Sequence, residues 1–241
     1  MLQEDTNTTK AQELPLRLRA VLFDMDGVLY DSMPYHASAW HRAMAQFGYD
    51  LPEEEVYMHE GRTGTSTVNL VSLREEGLEV SDERVAEIYK VKSDLFNEFP
   101  PAAPMPGALS LLLQLKAQGL KILIVTGSGQ CSLLDKLNED YPGIFRRELM
   151  VTAFDVKHGK PDPEPYLMGM QKGELRPDEC VVVENAPLGV RAAKAAGIFT
   201  IAVNTGPLPD NALLDEGVDL LFPSMQALSD AWSELSRSSV K

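Results

Sequence analysis

Val21-Leu22-Phe23-Asp24-Met25-Asp26-Gly27-Val28 is a short apolar run that ends in two carboxylates spaced i, i+2, with a glycine directly after them. In an extended segment residues two apart project to the same side, and glycine permits an immediate sharp turn. Similar runs recur at residues 120–125, 149–152, 180–183, 198–203 and 220–222. Most are aliphatic or β-branched without polar alternation, the pattern of strands buried on both faces of a parallel sheet. Amphipathic stretches at 107–118, 130–138, 163–172, 187–196 and 224–236 separate them, and Gly119 and Gly197 stand where helix C-termini are expected. Strand alternating with helix predicts an α/β protein with a doubly wound parallel sheet.

One gap interrupts this rhythm. Between the first run and residue 120 only helical patterning is found, at 34–47, 52–59, 65–76 and 81–99. These four helices read as a cap, residues 32–102, inserted into a core of residues 19–31 and 103–241. The crossings fall at residues 30–34 and in the proline-rich 100–106 stretch, about which the cap is expected to swing closed over substrate. Residues 1–18 are largely polar, lack the apolar segment of a signal peptide and read as a flexible tail. The Asn7-Thr8-Thr9 sequon has no bearing without secretion.

Of 241 residues, 44% are hydrophobic and 24% charged, the balance of a globular chain rather than a disordered one. Twenty-two Lys and Arg stand against 36 Asp and Glu, for a net charge of -14. That excess repels nucleic-acid phosphates and anionic membrane surfaces, and no apolar run approaches a membrane span. Cys131 and Cys180 lie in unrelated segments, which argues against a disulfide framework or structural zinc and for a reducing cytosol. The expectation is a cytoplasmic monomer. An anionic substrate would need a local positive field from a metal, Lys, Arg or helix N-termini.

In an open parallel sheet, ligands bind beyond the carboxyl ends of the strands. Four such ends carry polar residues here: Asp24 and Asp26; Thr126-Gly127-Ser128-Gly129; Lys160 in a proline-flanked loop; and Glu184-Asn185. Together they fit magnesium-assisted phosphoryl transfer. Asp24 is the candidate nucleophile, and Asp26 the acid that protonates the leaving oxygen and then deprotonates water. Mg²⁺ would take Asp24, the Asp26 carbonyl and Asn185, with Glu184 holding its waters. Thr126 and Lys160 would bind the phosphoryl oxygens, with Gly127 and Ser128 beside them.

The segments DMDGVLYDS, VTGS, GKPDPEPY and VVENAPLGVRAAKAAG resemble, in order, the four motifs of the haloacid dehalogenase superfamily of phosphotransferases. The resemblance spans everything after the tail and implies a Rossmann-like core, Mg²⁺ and an aspartyl-phosphate route. Its β-phosphoglucomutase-like subgroup has a helical cap in the same place. MHEGRTG, VTGSGQ, LMVTAFDVK and ENAPLGV look like inorganic pyrophosphatases of that subgroup. Two departures stand out. Many relatives have two acids at the fourth motif, whereas here Glu184 precedes neutral Asn185. The mutases also carry a lysine where Glu60 stands and an arginine where Gly64 stands, cations that hold a second phosphate; here the nearby cations are Arg62 and Lys92.

Each residue also has a plainer reading. Asp24 and Asp26 suit a strand-ending turn, Thr126 or Ser128 a helix N-cap, Lys160 an ordinary surface lysine, and Glu184 and Asn185 a turn. His36 reads either as a helix-surface histidine or as a group that contacts substrate or assists proton transfer, and Glu60 either as a solvated acid or as a cap-borne metal contact. The expected function is hydrolysis of a small phosphorylated compound, with inorganic pyrophosphate favoured. The alternatives are a β-phosphoglucomutase and a non-catalytic binding domain that keeps the fold.

Overall fold

The computed structural model describes residues 14–128 and 131–238. Strand β1 (Ala20–Phe23) lies inside a six-stranded, wholly parallel sheet, between β2 (Lys121–Val125) and β4 (Cys180–Glu184). β3 (Met150–Val151) forms the edge beyond β2, and β5 (Phe199–Val203) and β6 (Leu220–Phe222) extend the other side, giving the order β3-β2-β1-β4-β5-β6. The order reverses at β1, so the crevice between β1 and β4 is the switch point at which such sheets bind ligands. Phe23 pairs with Ile124 and with Val183, which aligns the ends of all three central strands.

All four residues of β1 are fully buried, and they alternate between two cores. Val21 and Phe23 pack with Leu111 and Leu115 of α5 (Ala108–Ala117) and with Leu228 and Trp232 of α10 (Met225–Ser238). Ala20 and Leu22 pack with Tyr166 and Met170 of α7 (Glu164–Gly173) and with Ala192 and Ala193 of α8 (Pro187–Ala195). Burial on both faces is why the run shows no polar alternation. α6 (Cys131–Asp140) follows the end of β2. A four-residue helix, α9 (Asn211–Leu214), falls in a stretch too short for helical periodicity to register.

Four helices intervene between β1 and α5: α1 (Met33–Gln46), α2 (Glu53–Met58), α3 (Gly64–Glu76) and α4 (Asp82–Phe96). They share a separate apolar core of Trp40, Met44, Leu51, Val68 and Ile88. Thr63 and Ser81 cap α3 and α4, their hydroxyls accepting from the Ser66 and Arg84 amides. The two crossings lie side by side, with the Asp31 amide donating to the Ala103 carbonyl and the Met105 amide to the Leu29 carbonyl.

The expected tail differs in extent. Residues 1–13 lie outside the described residues, but Leu14 is only 2% exposed and joins the core, with Leu18 packed against it. Two leucines in a mostly polar segment supply enough apolar surface to anchor the chain before β1 begins. Among the described residues no helix is long and apolar enough to cross a membrane.

Candidate active site

Asp24 extends β1 by one rung, its amide donating to the Val183 carbonyl. Gly27 then turns the chain at φ +75°, and a Cβ there would overlap the Asn185 side chain. Glycine is required at this position for both its backbone angle and the close approach. Asp24 and Asp26 thereby end up buried at the mouth of a small cavity between sheet and cap, of about 60 Å³. Asp24, Asp26, Thr126, Gly127 and Ser128 line it from the core, and His36, Glu60, Arg62 and Lys92 from the cap.

Lys160 arrives from the loop after β3 and is 2% exposed. Its Nζ lies 2.5 Å from Asp24 Oδ1 and 2.6 Å from Glu184 Oε1. Both carboxylates together outweigh burial and hold the ammonium above its usual value. Asp24 is raised too, which for an acid favours the neutral form. Burial, with Glu184 and Asp26 adding to it against Lys160, pushes its carboxyl up to about 8. Glu60 is raised for the same reasons, burial first and then Asp24 and Glu184. Glu60 Oε2 accepts a 3.1 Å hydrogen bond from Asn185 Nδ2, so cap and core meet at the fourth motif.

Asp26 has different company. Its Oδ1 accepts from Ser32 Oγ at 2.6 Å and lies 3.2 Å from His36 Nε2. Burial works against ionisation, but His36, Ser32 and Lys92 outweigh it, and the carboxyl sits below its ordinary value. His36 Nδ1 in turn is 2.8 Å from Lys92 Nζ. Lys92 is 2% exposed, and its Nζ stands 4.9 Å from the Phe96 ring centroid and 5.5 Å from that of Trp40. Burial lowers its pKa to about 7.

One expectation changes here: His36 is a buried partner of Asp26 rather than a helix-surface group, because α1 turns that face inward. Lys92, expected as a substrate cation, lines the cavity with its ammonium on His36 and beside the aromatic rings. Arg62 lines the cavity with Nη1 on Ser66 Oγ at 3.0 Å, and Thr126 Oγ1 accepts from the Ser128 amide. Gly129 lies outside the described residues. Sequence reasoning gave no role to Ser32, read as part of a crossing, or to Tyr166, which occupies an apolar helix position and carries its signal only in the hydroxyl.

Among the described residues no three His, Cys, Asp or Glu side chains form a metal-binding group. The donors at hand are of mixed type: the Asp24 carboxylate, the Asn185 amide oxygen and the Glu60 carboxylate. Asn185 Oδ1 and Glu60 Oε1 are both buried without a hydrogen-bond partner. Buried acceptors are normally satisfied. Two orphaned oxygens beside carboxyls that burial and mutual repulsion push toward protonation are what a hard, oxygen-seeking cation would relieve.

A doubly wound sheet with an acidic pair at its switch point and a buried lysine from the next loop defines a class of phosphoryl-handling proteins. The chain belongs to the haloacid dehalogenase-like hydrolase family, whose sequence pattern matches residues 18–197. It is similar to hexitol phosphatase A of Escherichia coli, 35% identical over 214 residues that cover 89% of this chain and 94% of that protein. It is also similar to a phosphorylated carbohydrates phosphatase of Thermotoga maritima, 31% identical over 88% of this chain and 97% of that one. A solved structure from Bacteroides vulgatus, provisionally described as a beta-phosphoglucomutase, shares 58% identity with a TM-score of 0.90, covering 94% of this chain and 91% of its own.

Proposed function

We propose that this chain is a Mg²⁺-dependent phosphohydrolase that works through a phosphoryl group held on Asp24. The observation that carries the reading is Lys160 Nζ at 2.5 Å from Asp24 Oδ1, with Asp26 two residues on and held separately by Ser32 and His36. Asp24 attacks phosphorus as the bond to the leaving oxygen breaks, and that oxygen takes a proton through Asp26, which rests ionised beside His36 and Ser32 and is first loaded with a proton from solvent. Water then attacks the aspartyl phosphate, Asp26 takes the water proton, and Asp24 is released with inorganic phosphate. Lys160 and Thr126 hold the phosphoryl oxygens. Asp24, the Asp26 carbonyl, Asn185 and Glu60 would hold the cation, which when bound supplies positive charge where two anions meet. Glu184 was expected to hold its waters.

Inorganic pyrophosphate is the first candidate substrate. The cavity, of about 60 Å³, is small and suits a compact anion better than a sugar bisphosphate. Glu60 also occupies the place in which the mutases carry a cation for a second phosphate. An arginine at position 64 would have to displace the Tyr89 ring, against which Gly64 packs. A phosphorylated sugar or polyol is the second reading, favoured by the activities named for the Escherichia coli and Thermotoga relatives; neither of those names carries pyrophosphate. Mutase activity is the third, carried by the Bacteroides neighbour.

Phosphate release from pyrophosphate, hexitol and sugar phosphates and β-glucose 1-phosphate, with and without Mg²⁺, discriminates among these. Pyrophosphate is expected to lead, and formation of glucose 6-phosphate from the last substrate would instead favour the mutase. Glu60→Gln is expected to weaken the Mg²⁺ dependence and depress the leading activity about 10–100-fold, the usual cost of losing a metal-supporting partner. Superimposable magnesium titrations of the two proteins would remove Glu60 from the site.

A further inference from the structure

Tyr166 takes no part in the scheme above, yet it is fully buried beside it. A tyrosine on the apolar face of α7 ordinarily fills core, and its hydroxyl then needs a partner. Here the hydroxyl donates to Glu184 Oε1 at 2.5 Å. The same oxygen accepts Lys160 Nζ at 2.6 Å, and Oε2 accepts the Asn185 and Ala186 amides at 3.1 and 3.5 Å. A carboxylate offers about four acceptor sites; three are filled at 2.5–3.1 Å, and the Ala186 amide stands at the edge of reach at 3.5 Å. Gly189 of α8 closes the remaining side, since a Cβ there would overlap the carboxylate. Glu184 is therefore held mainly by protein donors, with little acceptor capacity left for the role of holding metal-bound water expected from the sequence. What it contacts instead is Lys160.

Lys160 has three N–H donors. One goes to Asp24 Oδ1 and one to Glu184 Oε1, so the ammonium's position depends on how strongly each oxygen draws it. The Tyr166 ring also packs beside the ammonium, its centroid 5.3 Å from Nζ. We propose that Tyr166 is a positioning residue: by filling the second acceptor site of Glu184 Oε1 it fixes how Lys160 divides between Glu184 and Asp24. The inference rests on the proposed function, in which Lys160 offsets negative charge at Asp24. Without the hydroxyl, Oε1 keeps an unfilled site in a dry pocket. The nearest donor is Lys160, which is then drawn toward Glu184 and away from the bond being made.

Four variants test this: Tyr166→Phe, Glu184→Gln, their double, and Lys160→Ala, assayed with pyrophosphate and with p-nitrophenyl phosphate. Tyr166→Phe keeps the ring and is expected to lose about tenfold or more in kcat, with KM within about twofold and a Tm lowered by the unfilled acceptor site on Glu184. Adding Tyr166→Phe to Glu184→Gln should cost less than about twofold further, because both changes act through one contact. A lower Tm with unchanged kcat, or losses that simply add in the double variant, would overturn the positioning role. If Glu184→Gln fails to fold, the split between kcat and KM in Tyr166→Phe alone decides. An inactive Lys160→Ala beside a fully active Tyr166→Phe removes the inference and leaves the proposed function standing; an active Lys160→Ala removes that function itself.

Discussion

Asp24→Asn is expected to abolish phosphate release, by several orders of magnitude in kcat, while leaving a folded and slightly more stable protein. The two side chains share a shape, but the amide is neither a nucleophile nor an anionic metal ligand. The stability gain follows from the same burial that suits the site to its task. An acid whose pKa is raised on folding, here from 3.8 to about 8, binds more protons folded than unfolded across that interval. Its contribution to stability is therefore greatest below pH 3.8 and declines as the pH climbs toward 8. The asparagine variant escapes that decline. In chelator-containing buffer its Tm should exceed that of the parent chain by a margin that widens between pH 4 and pH 8. Substantial turnover in the purified variant would refute Asp24 as the nucleophile, and a margin that narrows over that interval would refute the raised pKa.

The sheet was legible because its central strands are buried on both faces. Val181-Val182-Val183 and Val21-Leu22-Phe23 have no polar side to blur them, and each observed strand falls within a residue or so of its expected run. The strand order is not carried by any local pattern, since β1 pairs with β2 and β4 across about 100 and 160 residues of chain. The site was legible where a residue type is costly unless used: two carboxylates at a strand end, and a lysine followed by Pro161 and Pro163. It was illegible where function depends on which neighbour a polar group finds. His36 and Lys92 sit on different helices, and only the packing of α1 on α4 brings Nδ1 to 2.8 Å from Nζ. Glu184 is the sharper case. Its place in the fourth motif suggested a metal-side acid, whereas in the fold both of its oxygens are engaged, Oε1 by Tyr166 and Lys160 and Oε2 by the Asn185 amide.

Gly127→Val is expected to cost at least about 100-fold in kcat/KM with little change in Tm, because it unseats the cap. Gly127 has ordinary backbone angles, so what its missing Cβ provides is proximity. A Cβ there would lie 2.5 Å from the Gly61 carbonyl oxygen and 2.9 Å from its carbon, both backbone atoms that cannot rotate aside. The loop carrying Gly61 also carries Glu60 and Arg62, so lifting it withdraws a carboxylate and a cation from the cavity together. A displacement of about 1 Å in a positioned group is enough for a loss of that size. Gly127 also borders the expected phosphoryl site, so a second variant separates the two effects. A Cβ on Gly159, outside the cavity lining, would stand 2.9 Å from Thr63 Cγ2 and 3.0 Å from the Thr63 amide nitrogen, pressing on the same cap loop from below. Gly159→Ala should therefore lower kcat/KM in the same direction and to a smaller degree. Thr63→Ser in that background removes the opposing methyl, keeps the hydroxyl that caps α3, and should restore part of the activity. Small-angle scattering with Mg²⁺ and fluoroaluminate should then show a more open molecule for Gly127→Val than for the parent chain. Identical scattering with full activity in both glycine variants would mean that this seating of the cap is not the arrangement in which the chemistry occurs.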